Sequence, residues 1–304
     1  MIEHKNFQGA GNAAVDTQHF QVIAEHDSNA LDLLAEATPF SKAQLKDFAQ
    51  KGAIWLNHGG KKAEVIRRLK RTLKSHQKID FYYNPRLLAQ ALLCDNIQAR
   101  LVADYGAYSL WFKPRGMLSQ SSKYGDFQSL PRWVELRSAN LFGTARPCWQ
   151  IHRLDRATEG LMLIAHNKKT AAQLTQLFEE KRIHKTYLAN VWGTPQVPKW
   201  SNHQPIDGKS ACSHFIWQAS AILNQSPISR IQITIETGRT HQIRKHLSAD
   251  GLPIIGDRLY GDPQTTVDLQ LSAYRLQWLC PVDNIERDIQ LNERDLTLIE
   301  VAER

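Results

Sequence analysis

Three short islands set ionisable and hydroxyl side chains in apolar frames: His152-Arg153-Leu154-Asp155-Arg156-Ala157-Thr158-Glu159-Gly160, Lys185-Thr186-Tyr187-Leu188-Ala189-Asn190-Val191 and Gly238-Arg239-Thr240-His241-Gln242-Ile243-Arg244. Asp155 stands between Arg153 and Arg156, just before a glycine turn into an apolar run. Cationic neighbours and local donors favour an ionised carboxylate there, which makes Asp155 a candidate catalytic residue. A surface ion-pair network is the competing reading of the same spacing. His152 and His241 lack the spacing of zinc ligands, so they read as framework or as contacts to a bound polyanion rather than as metal or general-base residues. Cys94, Cys148, Cys212 and Cys280 are too far apart for a CxxC or zinc pattern. They are read as reduced core residues of a cytosolic protein, and no metal is expected. Neither a nucleophile elbow nor a metal cluster supports a hydrolase.

The elements that must hold these islands are short. Leu161 to Ala165, Tyr187 to Trp192, Ser213 to Trp217 and Arg230 to Glu236 read as strands, the last alternating Ile231, Ile233 and Ile235. Leu101 to Ala103 and Tyr108 to Phe112 are further strands, with Lys113-Pro114-Arg115-Gly116 as a turn. Thr170 to Lys181 is an amphipathic helix with Ala171, Leu174, Leu177 and Phe178 on one face, and a second helix runs from about Thr240 to Ala249. Strands interrupted by single helices imply an α+β fold with a mixed sheet rather than a βαβ repeat.

The 304 residues suggest two domains, long enough to bury cores without staples. The first residues are polar with no apolar leader, and no apolar run approaches the roughly 18 residues of a membrane span. Secretion and membrane insertion are therefore not expected, and a monomer is the default. The formal charge of +8 is concentrated. Lys61, Lys62, Arg67, Arg68, Lys70, Arg71, Lys74 and Lys78 face one acid, Glu64, within 18 residues, a local balance of +7 against +1 elsewhere. Such a block is a candidate phosphate-binding surface, because each neutralised phosphate releases counterions; a solvated basic face is the alternative.

Residues 1–27 read as a flexible tail. After it, Ala30 to Ala37 forms a helix that stops at Thr38-Pro39, and Ser41 caps a second helix ended by Gly52. A strand Ala53 to Asn57, a His58-Gly59-Gly60 turn and a strand Ile79 to Tyr83 follow. The module 28–83 resembles the RNA-binding domain of the ribosomal S-four type, or alpha-L motif, through Lys51-Gly52-Ala53-Ile54-Trp55-Leu56-Asn57. It departs from that pattern where Lys42 follows Ser41 in place of an arginine. Residues 84–99 read as a linker and 100–304 as a catalytic domain.

The three islands are similar to those of the RluA-type pseudouridine synthases, which carry "HRLDxxTSG", "KxYxAxVxG" and "GRTHQIRxHLxxxGxPIxGDxxYG" in this order. Here the third reads GRTHQIRKHLSADGLPIIGDRLYG, Leu271 to Leu276 matches the closing "LxAxxL", and Phe112 to Leu118 resembles the early "NKPxG" turn. The resemblance implies the pseudouridine synthase fold, a mainly antiparallel sheet with flanking helices and a central cleft. It also implies isomerisation of uridine to pseudouridine in structured RNA, large-subunit ribosomal RNA first and transfer RNA as the alternative. A non-catalytic RNA-binding factor on the same fold has little reason to keep the whole set of Asp155, Tyr187 and Arg244.

In that family the aspartate, here Asp155, is the nucleophile. Nothing is oxidised, so no cofactor is expected. Tyr187 matches the tyrosine that stacks on the base and is a candidate general base. Arg244 matches the arginine that pairs with the catalytic carboxylate. Arg153 matches the position that fills the stack vacated by the flipped nucleotide. Ile243 and Leu276 are expected to wall the pocket. His152, His241, Arg239 and Lys113 are expected as RNA contacts or framework, and Lys61, Lys62, Arg67, Arg68, Lys70 and Arg71 as the docking surface. Glu159 departs from the family's serine; it could oppose ionisation of Asp155 or pair with Arg156.

Overall fold

A computed structural model describes residues 17–57, 63–92 and 97–301. The His58-Gly59-Gly60 turn, Lys61, Lys62 and Cys94 lie outside these residues. The chain divides into two units, Met1–Asn96 with Gln120–Trp133, and Ile97–Ser119 with Val134–Arg304. Helix α4 (Leu130–Phe142) spans the boundary in sequence.

The smaller unit begins earlier than the sequence suggests. β1 (Gln18–Ile23) falls in the stretch read as tail, but Phe20 and Val22 are buried. On the opposite face His19 Nε2 and Gln21 Nε2 reach the buried Asp80 carboxylate at 2.8 and 3.0 Å. β1 thus pairs antiparallel with β6 (Lys78–Tyr83), which pairs with β3 (Ile54–Asn57), and β3 with β4 (Glu64–Val65). The short strands β2 (Ser28–Asn29) and β5 (Thr72–Leu73) form a second pair. α1 (Ala30–Ala37) is capped by the Asn29 side chain, and α2 (Lys42–Gln50) by a capping box of Ser41 and Gln44. Gly52, at φ +81°, ends α2 in the left-handed conformation that glycine adopts without strain. A short helix, α3 (Pro85–Leu88), follows β6.

The return of Gln120–Trp133 to this unit is the main departure from contiguous domains. It is fixed by polar bonds of long sequence separation. The Asp126 amide donates to the Lys51 carbonyl at 2.9 Å, Trp55 Nε1 donates to the Lys123 carbonyl at 3.0 Å, and the Asp126 carboxylate takes a bidentate pair from Arg67.

The larger unit is built on a ten-stranded sheet. Its strands are β7 (Arg100–Asp104), β8 (Tyr108–Lys113), β9 (Trp149–Gln150), β10 (Glu159–Ala165), β11 (His184–Trp192), β12 (Lys199–Asn202), β13 (Ser213–Leu223), β14 (Ser226–Ile235), β15 (Leu271–Leu279) and β16 (Glu286–Gln290). The main path runs β12-β13-β14-β11-β15-β10-β8-β7, with β16 on β15 and β9 on β10. Every pairing is antiparallel except the two-residue contact of β10 with β15, Glu159 opposite Ser272 and Gly160 opposite Ala273. Helices α5 (Lys168–Glu179) and α6 (Gln242–Ala249) belong to the same unit.

Alternation along the central strands separates two cores. Tyr187, Ala189, Val191, Leu271 and Ala273 pack with Ile243 and Leu247 of α6, whereas Leu188, Tyr274, Leu276 and Trp278 pack with Leu174 and Leu177 of α5. The α6 face carries Leu154, Tyr187 and Ile243 of the islands. No helix among the described residues is long and apolar enough to cross a membrane.

Candidate active site

The Asp155 loop is held from both sides by the turn after β8. The Ser119 hydroxyl donates to the Leu154 carbonyl at 2.6 Å and accepts from the Leu154 amide at 2.9 Å. The Gly116 amide donates to the Arg156 carbonyl, and Arg156 Nε donates back to the Gly116 carbonyl at 3.0 Å. After the loop the chain must pass close to β15. At Gly160, φ +120°, a Cβ would lie 2.3 Å from the Ala273 carbonyl oxygen, so no side chain fits. This close approach brings the chain that follows Asp155 against β15, and Asp155 shares a cleft with Leu271 of that strand. Tyr187 comes to the same place from β11, which bulges between Thr186 and Tyr187 and pairs Tyr187 with Ala273.

Arg244 and His241 arrive from the start of α6. Arg244 Nη1 stands 3.7 Å and His241 Nε2 3.8 Å from Asp155 Oδ2. His241 adopts φ +56°, an uncommon conformation for a residue other than glycine, and gives its helix no side-chain cap. Its ring is also 3.0 Å from the Tyr260 hydroxyl. Burial holds the imidazole below its ordinary pKa, against the opposing charge of Asp155.

The sequence reading gave Arg244 one partner, Asp155; the structure gives it a closer one. Arg244 Nε and Nη2 donate to the two oxygens of the buried Asp257 at 2.8 and 2.7 Å, and the Leu259 and Tyr260 amides donate to the same carboxylate. Burial works against ionised Asp257, but Arg244 and these amides outweigh it and hold its pKa below the usual carboxylate range. A fixed, paired guanidinium therefore presents its remaining Nη1 to Asp155. Asp257 lies inside the quoted GDRLYG stretch, yet nothing in its spacing marks it as the anchor of Arg244.

Together with Arg153, Leu154, Ile235, Arg239, Ile243 and Leu271, these groups line a cleft of about 100 Å³. A second hollow of about 420 Å³ lies against Asp155 and is lined by Arg115, Arg156, Arg244 and Arg258 with a single further acid, Asp268. Tyr187 is only 8% exposed. Burial, reinforced by the charge of Asp155, pushes its phenol to a higher pKa. Its ring forms a flat wall of the cleft beside Asp155.

Several other expectations change. Leu276 does not line the cleft: it is five positions along the strand from Leu271, an odd number, and so faces the α5 core. Leu271 lines the cleft in its place. His152 turns Nε2 inward to accept from the Leu163 amide at 2.9 Å and stacks on Phe178, so it serves the framework rather than RNA. Burial, with the nearby Lys185 charge, pushes its pKa down to about 3.

Lys113 is fully buried, with Nζ donating to the Pro114 and Met117 carbonyls at 3.0 Å, and cannot meet an RNA backbone. Burial pushes it down to about 7 against the pull of Asp155 and Glu159. Glu159 pairs with Arg115 at 3.3 Å instead of Arg156, and its carboxylate accepts from the Thr297 amide and hydroxyl at 3.0 and 2.6 Å. It anchors the C-terminal segment. Arg239 donates through Nε to the Ser210 carbonyl at 3.0 Å while lining the cleft, and Arg153 is exposed at its rim.

The basic block is less free than its tally. Arg67 is taken by Asp126, Lys74 by Asp27 at 2.7 Å, Arg71 by Glu64 at 3.7 Å, and Lys78 lies 3.9 Å from Asp80. Arg68 and Lys70 are exposed without an ion-pair partner among the described residues.

A mainly antiparallel sheet thus carries a carboxylate, a paired arginine and a buried tyrosine in one cleft rimmed by cations, the set expected of an enzyme with an aspartate at its centre. The pattern described as RNA pseudouridylate synthase matches residues 107–249. The chain is 31% identical over 183 residues to the dual-specificity RNA pseudouridine synthase RluA of Yersinia pestis, spanning 55% of this chain and 84% of that protein. It is 34% identical over 174 residues to RluA of Haemophilus influenzae, spanning 51% and 74%. The solved human RNA pseudouridylate synthase domain containing 1 shares the fold, with a TM-score of 0.55 at 21% identity over 68% of this chain and 86% of that one. The chain belongs to the RluA-type family of RNA pseudouridine synthases and is an isomerase that converts uridine to pseudouridine in RNA.

Proposed function

We propose that Asp155 performs the chemistry on a uridine flipped out of large-subunit ribosomal RNA, and that the smaller unit is an alpha-L type module that docks the RNA. The observation that carries the catalytic part is the Asp155 carboxylate 3.7 Å from a guanidinium that Asp257 already fixes. Asp155 acts at the sugar, attacking C1′, or on the elimination route taking the C2′ proton and returning it as the new bond to C1′ forms. On the covalent route the bond from C1′ to N1 breaks with its electron pair going to the uracil. The base turns, a bond from C5 to C1′ forms as the carboxylate leaves, C5 gives up a proton and N1 gains one, so no net proton or electron is exchanged.

Tyr187 supports the detached base as a neutral phenol. Ile243, Leu271 and Leu154 keep water from it, and Arg153 at the rim takes the place of the flipped nucleotide. The hollow rimmed by Arg115, Arg156 and Arg258 receives the flanking phosphates. Appending a basic module favours a large structured RNA, with transfer RNA as the alternative; relatives named dual-specificity favour more than one target. Pseudouridine mapping in ribosomal and transfer RNA from cells with and without the protein tests this. Loss of sites in ribosomal RNA is the expected result, and loss confined to transfer RNA would replace it.

A further inference from the structure

One side-chain cluster of the larger unit takes no part in the uridine chemistry. Cys212 and Glu236 face each other across the end of the β13–β14 pair, where the Glu236 amide donates to the Cys212 carbonyl. His214, two residues along β13, projects from the same side. Donor atoms of the three lie within 4.8 Å of one another. His214 Nε2 stands 3.4 Å from Cys212 Sγ and 2.8 Å from Glu236 Oε1. The ring is oriented from behind, its Nδ1 2.7 Å from the Ser201 hydroxyl. Nε2 donates its proton to the Glu236 carboxylate, and a cation would take the place of that proton between imidazole, thiol and carboxylate, with Nδ1–H then donating to Ser201.

We propose that Cys212, His214 and Glu236 bind a divalent transition cation of the zinc class. Thiolate, imidazole and carboxylate are the donor set that such a cation prefers over calcium or magnesium. Bond lengths of about 2.3 Å to sulfur and 2.0 to 2.2 Å to nitrogen and oxygen place tetrahedral donors about 3.3 to 3.6 Å apart. The sulfur–nitrogen separation already fits. The nitrogen–oxygen separation must open by about half an ångström, a small motion for the exposed Glu236 side chain. Ser201 supplies the outer partner that fixes the imidazole of a metal ligand. The remaining position is open to water or to His203, whose ring centroid is 6.2 Å from that of His214.

The site also has a place in the architecture. The Cys212 amide donates to Thr237 Oγ1, and the Cys212 carbonyl accepts from Gln242 Nε2 at 2.8 Å. A cation here clips together the two strand ends that launch the Gly238 to His241 wall of the cleft. In the linear sequence a Cys-x-His pair with a glutamate 22 residues later matches no helical or CxxC pattern. The strand pairing makes the cluster.

The full-length protein, stripped with chelator, is titrated with Zn2+ by calorimetry and with Co2+ by absorption. One equivalent per chain is expected, with a thiolate-to-cobalt charge-transfer band that Cys212→Ser removes and Cys148→Ser leaves intact. Glu236→Gln, at an exposed position, should weaken zinc at least about 10-fold, and Ser201→Ala about 10- to 100-fold, the cost of losing an outer partner. Zn2+ should raise the Tm of the wild type and not that of Glu236→Gln. Absence of saturable binding at micromolar zinc, or a charge-transfer band that survives Cys212→Ser, would overturn the proposal.

Discussion

The Asp155 cleft and the basic block of the smaller unit both concentrate cations, but they do so in opposite ways. In the cleft, Arg244 is buried, locked to Asp257, and turned toward one carboxylate. Among the described residues of the block, Arg68 and Lys70 are exposed without an ion-pair partner, while Arg67, Lys74 and Arg71 are satisfied by acids of the same unit. Buried, fixed charge orients one reacting group at high energetic stakes. Exposed, mobile charge attracts a polyanion weakly at each site and in a salt-dependent way. The comparison predicts different kinds of failure in the two regions.

The largest effect belongs to the reacting group: Asp155→Asn should reduce pseudouridine formation to background while RNA affinity stays within a few-fold. Next is the anchor behind it. Asp257→Asn leaves the Arg244 guanidinium buried beside a neutral amide, and unfolding in denaturant should show a loss of about 3 to 5 kcal/mol together with reduced turnover. A loss below about 1 kcal/mol, the scale of a surface pair, would mean that Arg244 is not held as described.

Tyr187→Phe should slow single-turnover chemistry less than about 100-fold, since a general base is worth roughly 100- to 10,000-fold and the phenol resists ionisation. A larger loss with an altered pH profile would support the general-base role instead.

Lys113 gives a pH test of the same buried charge. Its folded pKa of about 7 lies below the unfolded value near 10.5. Between the two the unfolded chain binds more protons, so this lysine makes stability rise with pH through that window, by up to about 1.4 kcal/mol per pH unit. Below the window the cost of burying the ammonium is present in full. Lys113→Met should remove that rise, and identical pH profiles for wild type and variant would show that the ammonium is not suppressed by folding.

The smallest effects belong to the block. Arg68→Ala and Lys70→Ala should each lessen the slope of log affinity against log salt by about 0.7 to 0.9. Arg67→Ala should leave the slope alone and cost stability, because Asp126 loses its partner.

The sequence makes the chemistry legible where function constrains residue types tightly. Asp155, Tyr187 and Arg244 line one cleft, and most elements around them lie within a few residues of their expected ranges, although β13 runs six residues past Trp217. What it hides depends on distant partners. The charge tally of 61–78 counts only local acids and cannot see Asp27, Asp80 or Asp126. β15 is buried on both faces, so it lacks the alternation of a half-buried strand and reads as a motif alone. α4 has no single apolar stripe, with Leu141 exposed near its end, and gives no helical period. β1 is fixed by Asp80, about 60 residues away, and Leu276 is misplaced by a parity that Leu271 already carried.

The division of labour between the two regions is tested most directly by single-turnover pseudouridine formation at saturating RNA. The Asp155→Asn variant and an Arg68→Ala, Lys70→Ala double variant would be compared with the wild type. The account predicts no product from Asp155→Asn with RNA still bound, and a wild-type rate from the double variant once RNA is saturating. Turnover by Asp155→Asn, or an equal fall in both variants, would contradict it.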